Sequence, residues 1–313
     1  MSKNVLLLSK SDLLKCGAGD SLLYENQIFL HFENLKKGIS KTLPKVVHPC
    51  GNMPSKRNRL SLLTGQVGNT IGTKILTSKV HNHLANLPRT HGFITLFDQQ
   101  TGLPVTILEG SLISQMRTIA IHSLIGNQLA DVRSIGLVGN SSIGRGILGR
   151  LKSSHPESKL FLRSKSTIPY CFNLDQYQSI SSERMDILIL ASTSETPLIE
   201  AVELKKLNPV LILNVSLSDM SKECIMGCKN WIIDDYQAVN RYLDKMFQLG
   251  IFNSPDHLCV KHFEYLANAH PFKSTEHTIT SFMVGDGALD IHLAEFFYHQ
   301  ALSLNLGYNM DFN

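Results

Sequence analysis

SQMRTIAIHSLIGNQLADVRSIGLVGNSSIGRG, residues 114–146, places an amphipathic helix that starts at Arg117 before a short apolar strand, a glycine turn and a second helix-like segment. The apolar run 135–138 ends at Gly139, and Gly144 follows within the next segment. A dinucleotide-binding unit has this order, because a tight turn lets the backbone approach a pyrophosphate while the first N–H groups of the helix face the anion. Ser141 stands where that fingerprint has its middle glycine, so an ordinary helix-entry turn is the alternative.

The residues that follow the second predicted strand, 159–162, bear on the choice of cofactor. Arg163, Ser164 and Lys165 lie where an acidic residue would hold the adenosine ribose of a bound NAD. Two cations and a hydroxyl fit a 2′-phosphate better than a bare hydroxyl. The segment therefore favours NADP(H) over NAD(H), unless the two cations are only a solvated strand end.

Three further apolar runs, 186–191, 210–215 and 231–233, have the continuous hydrophobicity of buried parallel strands. Polar residues follow each run: Ser192 and Thr193, then Ser216 to Asp219, then an Asp pair at 234–235. Ligands bind beyond the carboxyl ends of such strands. The pattern predicts an α/β fold with a doubly wound parallel sheet, a Rossmann domain, whose binding edge carries these polar residues.

Length and composition agree with a protein of two domains. The chain has 313 residues, of which 43% are hydrophobic and 18% charged, and its net charge is +4. No basic tract with interleaved aromatic residues indicates a nucleic acid partner, and no apolar stretch or signal peptide indicates a membrane, so we expect a cytoplasmic protein. The cysteines form no CxxC pair and the histidines are scattered, so we expect no metal site.

The remaining chain predicts a second, smaller α+β domain. Residues 93–97 and 104–108 read as the strands of an antiparallel hairpin joined by the turn 98–102. After Gly285 and Gly287 the apolar residues recur with helical spacing. We therefore assign residues 119–284 to the dinucleotide-binding domain, and residues 1–118 with 285–313 to a domain for substrate binding and dimerisation.

Three charged residues would suit a substrate that carries carboxylates. Lys74 on a strand and Arg117 on a helix offer a point charge and a planar fork for carboxylates, and Asp219 is placed where a base could act. Each has a plainer interpretation. Lys74 would be a solvated strand residue, Arg117 would pair with Asp131 or Glu109, and Asp219 would be a helix N-cap.

The chain resembles the ornithine cyclodeaminase and mu-crystallin family along nearly its whole length. The motifs that carry the resemblance are Gly72-Thr-Lys74, Asp98 to Pro104, Met116 to Ala120, the Gly139 turn, Ala191 to Thr193, Asp219, and Gly285 to Asp290. The resemblance implies an NAD(P)-dependent enzyme that acts on a small amino acid and forms a homodimer through its second domain. Because the family includes crystallins, a cofactor-binding protein that catalyses no reaction is the alternative.

Within the family, the chain looks most similar to the branch that makes 2,3-diaminopropionate for siderophores. The cues are Leu87-Pro88-Arg89, the segment 214–221 in place of a glycine-rich tract that ends Pro-Gly-Lys in cyclodeaminases, and the Asp pair at 234–235. Members of that branch oxidise N-(2-amino-2-carboxyethyl)-glutamate and hydrolyse the resulting imine. An ornithine cyclodeaminase or an imine reductase is the alternative activity.

The resemblance also assigns residues to the expected site. It implies a catalytic role for Asp219 and Lys74, and substrate binding by Lys74, Arg117, Arg89 and His91, although a loop position would explain Arg89 and His91 equally well. The cofactor-binding set that it implies consists of Arg117, Thr118, Gly139, Ser141, Ile143, Gly144, Arg163, Ser164, Lys165, Ser192, Thr193, Ser216 and Gly285. A further arginine that contacts the substrate carboxylate is either Arg57 or Arg59.

Overall fold

The protein is described by a computed structural model over residues 4–50, 58–164, 177–180, 184–247, 258–267 and 278–311. The chain divides into two compact units, the first made of Met1–Ala120 and Gly285–Asn313 and the second of Ile121–Val284. In the described residues, no helix combines the length and apolar character that a membrane crossing requires.

The first unit contains one mixed sheet with helices packed against it. Its described strands are β1 (Asn4–Leu8), β2 (Ser40–Thr42), β3 (Val46–Pro49), β4 (Arg59–Val67), β5 (Thr70–Ser78), β6 (Thr90–Asp98), β7 (Pro104–Glu109) and β16 (Tyr308–Asp311). Its described helices are α1 (Lys10–Lys15), α2 (Ser21–Lys36), a 3₁₀ turn at Val80–Ala85, the first part of α3 (Gly110–Gly126), and α9 (Gly287–Ser303).

The strand order in this sheet is β16-β1-β7-β6-β5-β4-β2, and β3 also pairs with β4. Neighbouring strands are antiparallel except β1 and β7. The hairpin predicted from the sequence is confirmed as β6 and β7, with Gly102 at φ +70° in the turn. Buried and partly exposed side chains alternate along β4 and β5, so the sheet has one buried face and one partly open face.

Helix α9 lies very close to the buried face of this sheet, because the residues at the contact are small. A Cβ atom on Gly65 of β4 would lie 2.5 Å from the Cα atom of Ala288, and one on Gly287 would lie 2.4 Å from the carbonyl oxygen of Thr64. Asp286 caps the helix by accepting a hydrogen bond from the backbone N–H of Leu289. The predicted C-terminal helix is therefore confirmed, and its start is fixed in position against β4.

The second unit contains the parallel sheet. Its described strands are β8 (Ser134–Val138), β9 (Lys159–Arg163), β10 (Tyr177–Ser179), β11 (Ile187–Leu190), β12 (Leu211–Asn214), β13 (Asn230–Ile233), β14 (Leu258–Lys261) and β15 (Ile279–Phe282). Its described helices are the last part of α3, α4 (Ser142–Ser154), α5 (Ala201–Leu207), α6 (Lys222–Gly227), α7 (Tyr236–Phe247) and α8 (His262–Ala267).

The strand order is β10-β9-β8-β11-β12-β15-β13-β14, and every described pair is parallel. The chain runs outward from β8 to β10 and then returns to β11 on the other side of β8. This reversal is a topological switch point, and ligands bind beyond the carboxyl ends of the strands at such a point. The predicted α/β fold with a doubly wound parallel sheet is confirmed.

Helix α3 corrects one prediction, because it begins at Gly110 and not at Arg117. The carboxylate of Glu109, at the end of β7, accepts hydrogen bonds from the backbone N–H groups of Ser111 (2.8 Å) and Leu112 (2.9 Å). These bonds satisfy donors that the first turn of a helix leaves without a partner. Arg117 therefore lies in the middle of a helix that follows the hairpin directly.

Candidate functional site

A buried cluster of charges lies in the first unit. The ammonium group of Lys74 on β5 pairs with the carboxylate of Asp290 on α9, and both side chains are fully buried. The Nε atom of Arg117 lies 3.3 Å from the other carboxylate oxygen of Asp290. The Nζ atom of Lys74 also donates to the hydroxyl of Ser114, at 3.2 Å. Lys74 is thus not a solvated strand residue, and the suggested pairing of Arg117 with Asp131 or Glu109 is replaced by Asp290.

Lys45 adds a third cation to this cluster. A Cβ atom on Gly285 would lie 3.4 Å from Nη2 of Arg117 and 3.8 Å from Nζ of Lys45, so both cations approach the same backbone position. Gly285 has φ +116°, a conformation that side chains rarely adopt, and its Cβ would also lie 2.9 Å from Leu63. A glycine here keeps space open beside the two cations.

Burial and neighbouring charge act together on Lys74. Burial lowers the pKa of Lys74 to about 7, the Asp290 carboxylate opposes this shift, and the cations of Arg117 and Lys45 add to it. Two of these cations, Lys74 and Arg117, share the carboxylate of Asp290. A carboxylate of a ligand would suit this arrangement, because it would add to the negative charge that Asp290 supplies to the two cations.

The glycine turn of the second unit follows β8. Gly139 has φ +103°, and a Cβ atom there would lie 2.4 Å from the carbonyl oxygen of Ala191 at the end of β11. A Cβ on Gly144 would lie 2.7 Å from the Cβ of Ala191. Both glycines therefore permit the close turn and the close helix-to-strand packing of a dinucleotide site. The hydroxyl of Ser141 caps α4 by accepting a hydrogen bond from the N–H of Gly144 at 3.0 Å.

These observations bear on whether the turn fits the pyrophosphate of a dinucleotide. The first N–H groups of a helix have no partner within the helix. The Ser141 hydroxyl accepts the hydrogen bond of the Gly144 N–H, so the N–H groups of Ser142 and Ile143 are available to an anion. Ile143 is half-buried and Ser142 is exposed. The turn therefore fits a pyrophosphate, although Ser141 occupies the position of a glycine.

Asp219 follows β12 in the second unit and is fully buried. Its carboxylate accepts hydrogen bonds from the backbone N–H of Ser192, at 3.0 Å, and from the Ser192 hydroxyl. The residue that caps α6 is Ser221, so the interpretation of Asp219 as an N-cap is wrong. The carboxylate instead joins the end of β12 to the end of β11.

Arg163, which was predicted to bind the 2′-phosphate of NADP, is bonded to other residues of the protein. Its guanidinium group forms an ion pair with Glu203 and donates to the carbonyl oxygen of Leu198 at 3.2 Å. It is thus not simply a solvated strand end. Ser164 is half-buried, and Lys165 lies outside the described residues.

Other predicted cofactor residues take various environments. The Thr118 hydroxyl donates to the carbonyl oxygen of Ser114 one turn earlier, at 2.7 Å. Thr193 is exposed after β11. The Ser216 hydroxyl is buried and has no hydrogen-bond partner in the described part of the chain. Their cofactor contacts stay predictions.

The other two predicted substrate residues, Arg89 and His91, have different environments. His91 is exposed on β6, and its register with Thr77 places it on the sheet face opposite that of Lys74. Arg89 precedes β6 and donates from Nε to the hydroxyl of Ser78 at 3.2 Å. The structure therefore does not bring His91 to the cluster, since successive side chains of a strand point to opposite faces.

The sequence reasoning missed two members of the cluster. Asp290 belonged to a motif but received no role, and Lys45 was not considered. Of the two arginines suggested instead, Arg59 begins β4, while Arg57 lies outside the described residues. The available signal was an acidic residue between the apolar residues Leu289 and Ile291 on the first turn of the helix, because a buried carboxylate requires a cation.

The parallel sheet and the glycine turn are typical of a dinucleotide-binding α/β protein, and the first unit contains a buried cluster of charges. A sequence profile of the ornithine cyclodeaminase/mu-crystallin family matches residues 21–168. This match over residues 21–168 agrees with the resemblance that the sequence motifs indicated.

Three relatives illustrate the range of the comparison. The N-((2S)-2-amino-2-carboxyethyl)-L-glutamate dehydrogenase of Staphylococcus aureus is 24% identical over 98% of each chain. An archaeal alanine dehydrogenase, solved as a dimer with bound NAD, has a TM-score of 0.77 at 17% identity and covers 99% of this chain and 100% of its own. The Δ1-pyrroline-2-carboxylate reductase of Thermococcus litoralis, solved with NADH and L-proline, has a TM-score of 0.76 at 19% identity, with 98% and 100% covered.

These relatives agree with the prediction of an oxidoreductase, because each is named as a dehydrogenase or a reductase. The two solved proteins have NAD or NADH bound. The likeness to these structures concerns the fold, and the substrates differ among the three relatives.

Proposed function

We propose that this protein is a nicotinamide-dependent oxidoreductase that cleaves N-(2-amino-2-carboxyethyl)-glutamate to 2,3-diaminopropionate and 2-oxoglutarate, as a step of siderophore or related biosynthesis. The observation that carries the proposal is the buried cluster in which Lys74 and Arg117 both face the carboxylate of Asp290. The substrate is rich in carboxylates, so it supplies the anion that this cluster favours. The full-length similarity to the Staphylococcus aureus dehydrogenase supports the choice of substrate.

The second unit would hold the cofactor. Gly139, Ser141, Ile143 and Gly144 would hold the pyrophosphate at the start of α4. When bound, the nicotinamide supplies a hydride acceptor. We propose NADP(H) as the preferred form on the basis of the cations after β9, although the ion pair with Glu203 partly neutralises Arg163 and so weakens this preference.

Different residues of this chain would bind the substrate and transfer its protons. Arg117 and the ammonium groups of Lys74 and Lys45 would hold a carboxylate and so orient the carbon that is oxidised. Asp219 would accept the proton of the secondary amine as the C–N bond becomes an imine, and later activate water for hydrolysis. The balance is one substrate, one oxidised cofactor and one water giving diaminopropionate, 2-oxoglutarate, reduced cofactor and a proton.

The decisive test incubates the purified protein with NAD⁺ or NADP⁺ and N-(2-amino-2-carboxyethyl)-glutamate, with ornithine in a parallel reaction. Absorbance follows the reduced nicotinamide, and mass spectrometry identifies the products. Diaminopropionate together with 2-oxoglutarate is the expected result. Proline from ornithine would replace the proposal with a cyclodeaminase. Dissociation constants for NADP(H) and NAD(H), measured in the same preparation, test the cofactor preference.

The charge state of Lys74 predicts a pH dependence of product binding. Because burial lowers the pKa of Lys74 to about 7, its ammonium group loses its proton above that pH and no longer attracts a carboxylate. We expect the inhibition constant of 2-oxoglutarate to rise as pH increases above about 7, by up to about tenfold per pH unit. This compound has no group that titrates near neutral pH, so the change reports on the protein.

Arginine at position 74 is the matched comparison, because its guanidinium group stays protonated throughout this range. A Lys74→Arg protein that folds, as judged by thermal unfolding, should bind 2-oxoglutarate with little pH dependence. An inhibition constant of the natural protein that stays level above neutral pH would contradict the role of Lys74.

A second candidate function is reduction of a cyclic imine such as Δ1-pyrroline-2-carboxylate. The structural likeness to the Thermococcus litoralis reductase favours it, because that protein was solved with NADH and L-proline. Oxidation of NADH or NADPH by this imine, without turnover of the proposed substrate, would establish it. Binding of the cofactor without any turnover would instead support a crystallin-like role.

We also propose that the protein acts in the cytoplasm as a homodimer that pairs through the first unit. The open face of its sheet carries a row of apolar side chains across four neighbouring strands: Val46, Leu62, Ile75 and Phe93. Val46 is 45% exposed and Phe93 is 43% exposed. Such a row on an exposed sheet face suits contact with a second copy of the same row.

Phe93→Asp should therefore convert the dimer to a monomer, because each copy would bury an unpaired carboxylate at the interface. Light scattering after gel filtration measures the molar mass. Leu30→Asp is the matched control, since Leu30 is 53% exposed on α2 and lies outside the row. A Phe93→Asp protein that remains dimeric would exclude this face.

A further inference from the structure

Arg145 lies on the first turn of α4, directly after the glycine turn, and it is held against that turn. Its Nη1 atom donates to the backbone carbonyl oxygen of Asn140 at 2.7 Å and to the side-chain oxygen of Asn140 at 2.9 Å. The side chain is half-buried. The two bonds restrict the guanidinium plane, so the group is already positioned beside the phosphate-binding loop and keeps further N–H donors for a ligand.

Among the residues that the structure describes, Arg145 has hydrogen bonds to Asn140 and no acidic partner. Arg163, the other arginine near the predicted cofactor segment, is paired with Glu203. The N-terminus of a helix carries a partial positive charge, so a cation nearby is repelled. A bound anion would offset both the helix dipole and the charge of Arg145. Arg145 and the start of α4 therefore favour the same anionic group.

The sequence of the turn indicates what Arg145 would contribute to cofactor binding. Ser141 replaces the glycine that would let the backbone come nearest to a pyrophosphate, and its hydroxyl is engaged in capping Gly144. The backbone of this turn therefore approaches a bound pyrophosphate less closely than a glycine-rich turn would. A guanidinium group that donates two bonds to phosphate oxygens compensates for that loss with a stronger, charge-assisted contact.

We propose that Arg145 binds the pyrophosphate of the nicotinamide cofactor and offsets the glycine-to-serine change at position 141. The proposal rests on the cofactor part of the proposed function and is independent of the substrate. Asn140 is a positioning residue in this arrangement, because it acts on the cofactor only through Arg145.

Calorimetric titration with NADH and with ADP-ribose tests this role without any turnover. We expect Arg145→Gln to weaken both ligands by about tenfold to 100-fold, the usual effect of losing charge-assisted hydrogen bonds. Lys152→Gln is the matched control, because it removes the same charge from the opposite end of α4. It should change neither dissociation constant by more than about twofold.

Asn140→Ala separates binding from structure. This variant loses the contact with the Asn140 side chain but keeps the charge, so we expect a smaller loss of affinity than in Arg145→Gln. Equal losses in the two variants, or unchanged affinity in Arg145→Gln, would overturn the role of Arg145. If the natural protein binds neither NADH nor ADP-ribose, the cofactor assignment and this inference both fail. If it binds them but does not turn over the proposed substrate, only the proposed reaction fails.

Discussion

Asp290→Asn should lower the free energy of unfolding by about 3–5 kcal/mol, the range found when one partner of a buried ion pair is removed. Asp290 is fully buried and is the described carboxylate that faces both Lys74 and Arg117. Without it, two buried cations face each other with no compensating charge. Deprotonation of Lys74 reduces this cost, so the effect should be largest at low pH. Urea unfolding followed by circular dichroism measures the change.

Glu295→Gln provides the matched control on the same helix. Glu295 accepts a hydrogen bond from the Thr70 hydroxyl at 2.5 Å, and it lies at a half-buried position of α9. Its neutralisation should cost only about 1 kcal/mol, because no buried charge is left behind. Equal destabilisation by the two variants would mean that Asp290 contributes no more than an ordinary polar contact. Adding Lys74→Met to Asp290→Asn should restore part of the stability, since only one cation then remains.

Asp219→Asn should reduce turnover by about 10²-fold to 10⁴-fold, the usual contribution of a positioned general acid or base. An asparagine side chain is similar in shape but cannot accept the amine proton or activate water. Binding of NADH should change little, because the proposed pyrophosphate contacts are at the Gly139 turn. Steady-state rates with the substrate that proves active, together with NADH titration, measure the two effects.

Ser192→Ala separates the chemical role of Asp219 from its structural one. The Ser192 hydroxyl donates to Asp219, but the backbone N–H of Ser192 donates to it as well and remains in the variant. We therefore expect a loss of turnover of about tenfold or less. Full turnover in Asp219→Asn would exclude it as the acid/base. Equal losses in the two variants, accompanied by lower melting temperatures, would assign Asp219 a structural role.

Continuous apolar runs predicted five of the parallel strands, because buried parallel strands need hydrophobic side chains on both faces. The same reasoning missed β15, which lies between β12 and β13 and follows both along the chain. Strand order depends on pairing between distant segments, so local hydrophobicity does not reveal it. The start of α3 was also misplaced, because Glu109 belongs to a strand and caps the helix across the boundary.

The sequence by itself determined five of the parallel strands and the turn at Gly139, since local spacing encodes these features. The motifs of the family resemblance singled out Lys74 and Arg117. Only the tertiary structure decided which charges meet. Asp290 is 216 positions beyond Lys74, and a C-terminal helix carries it to β5. Asp290 became a member of the site because a buried cation requires an opposite charge, and no local pattern records such a long-range pairing.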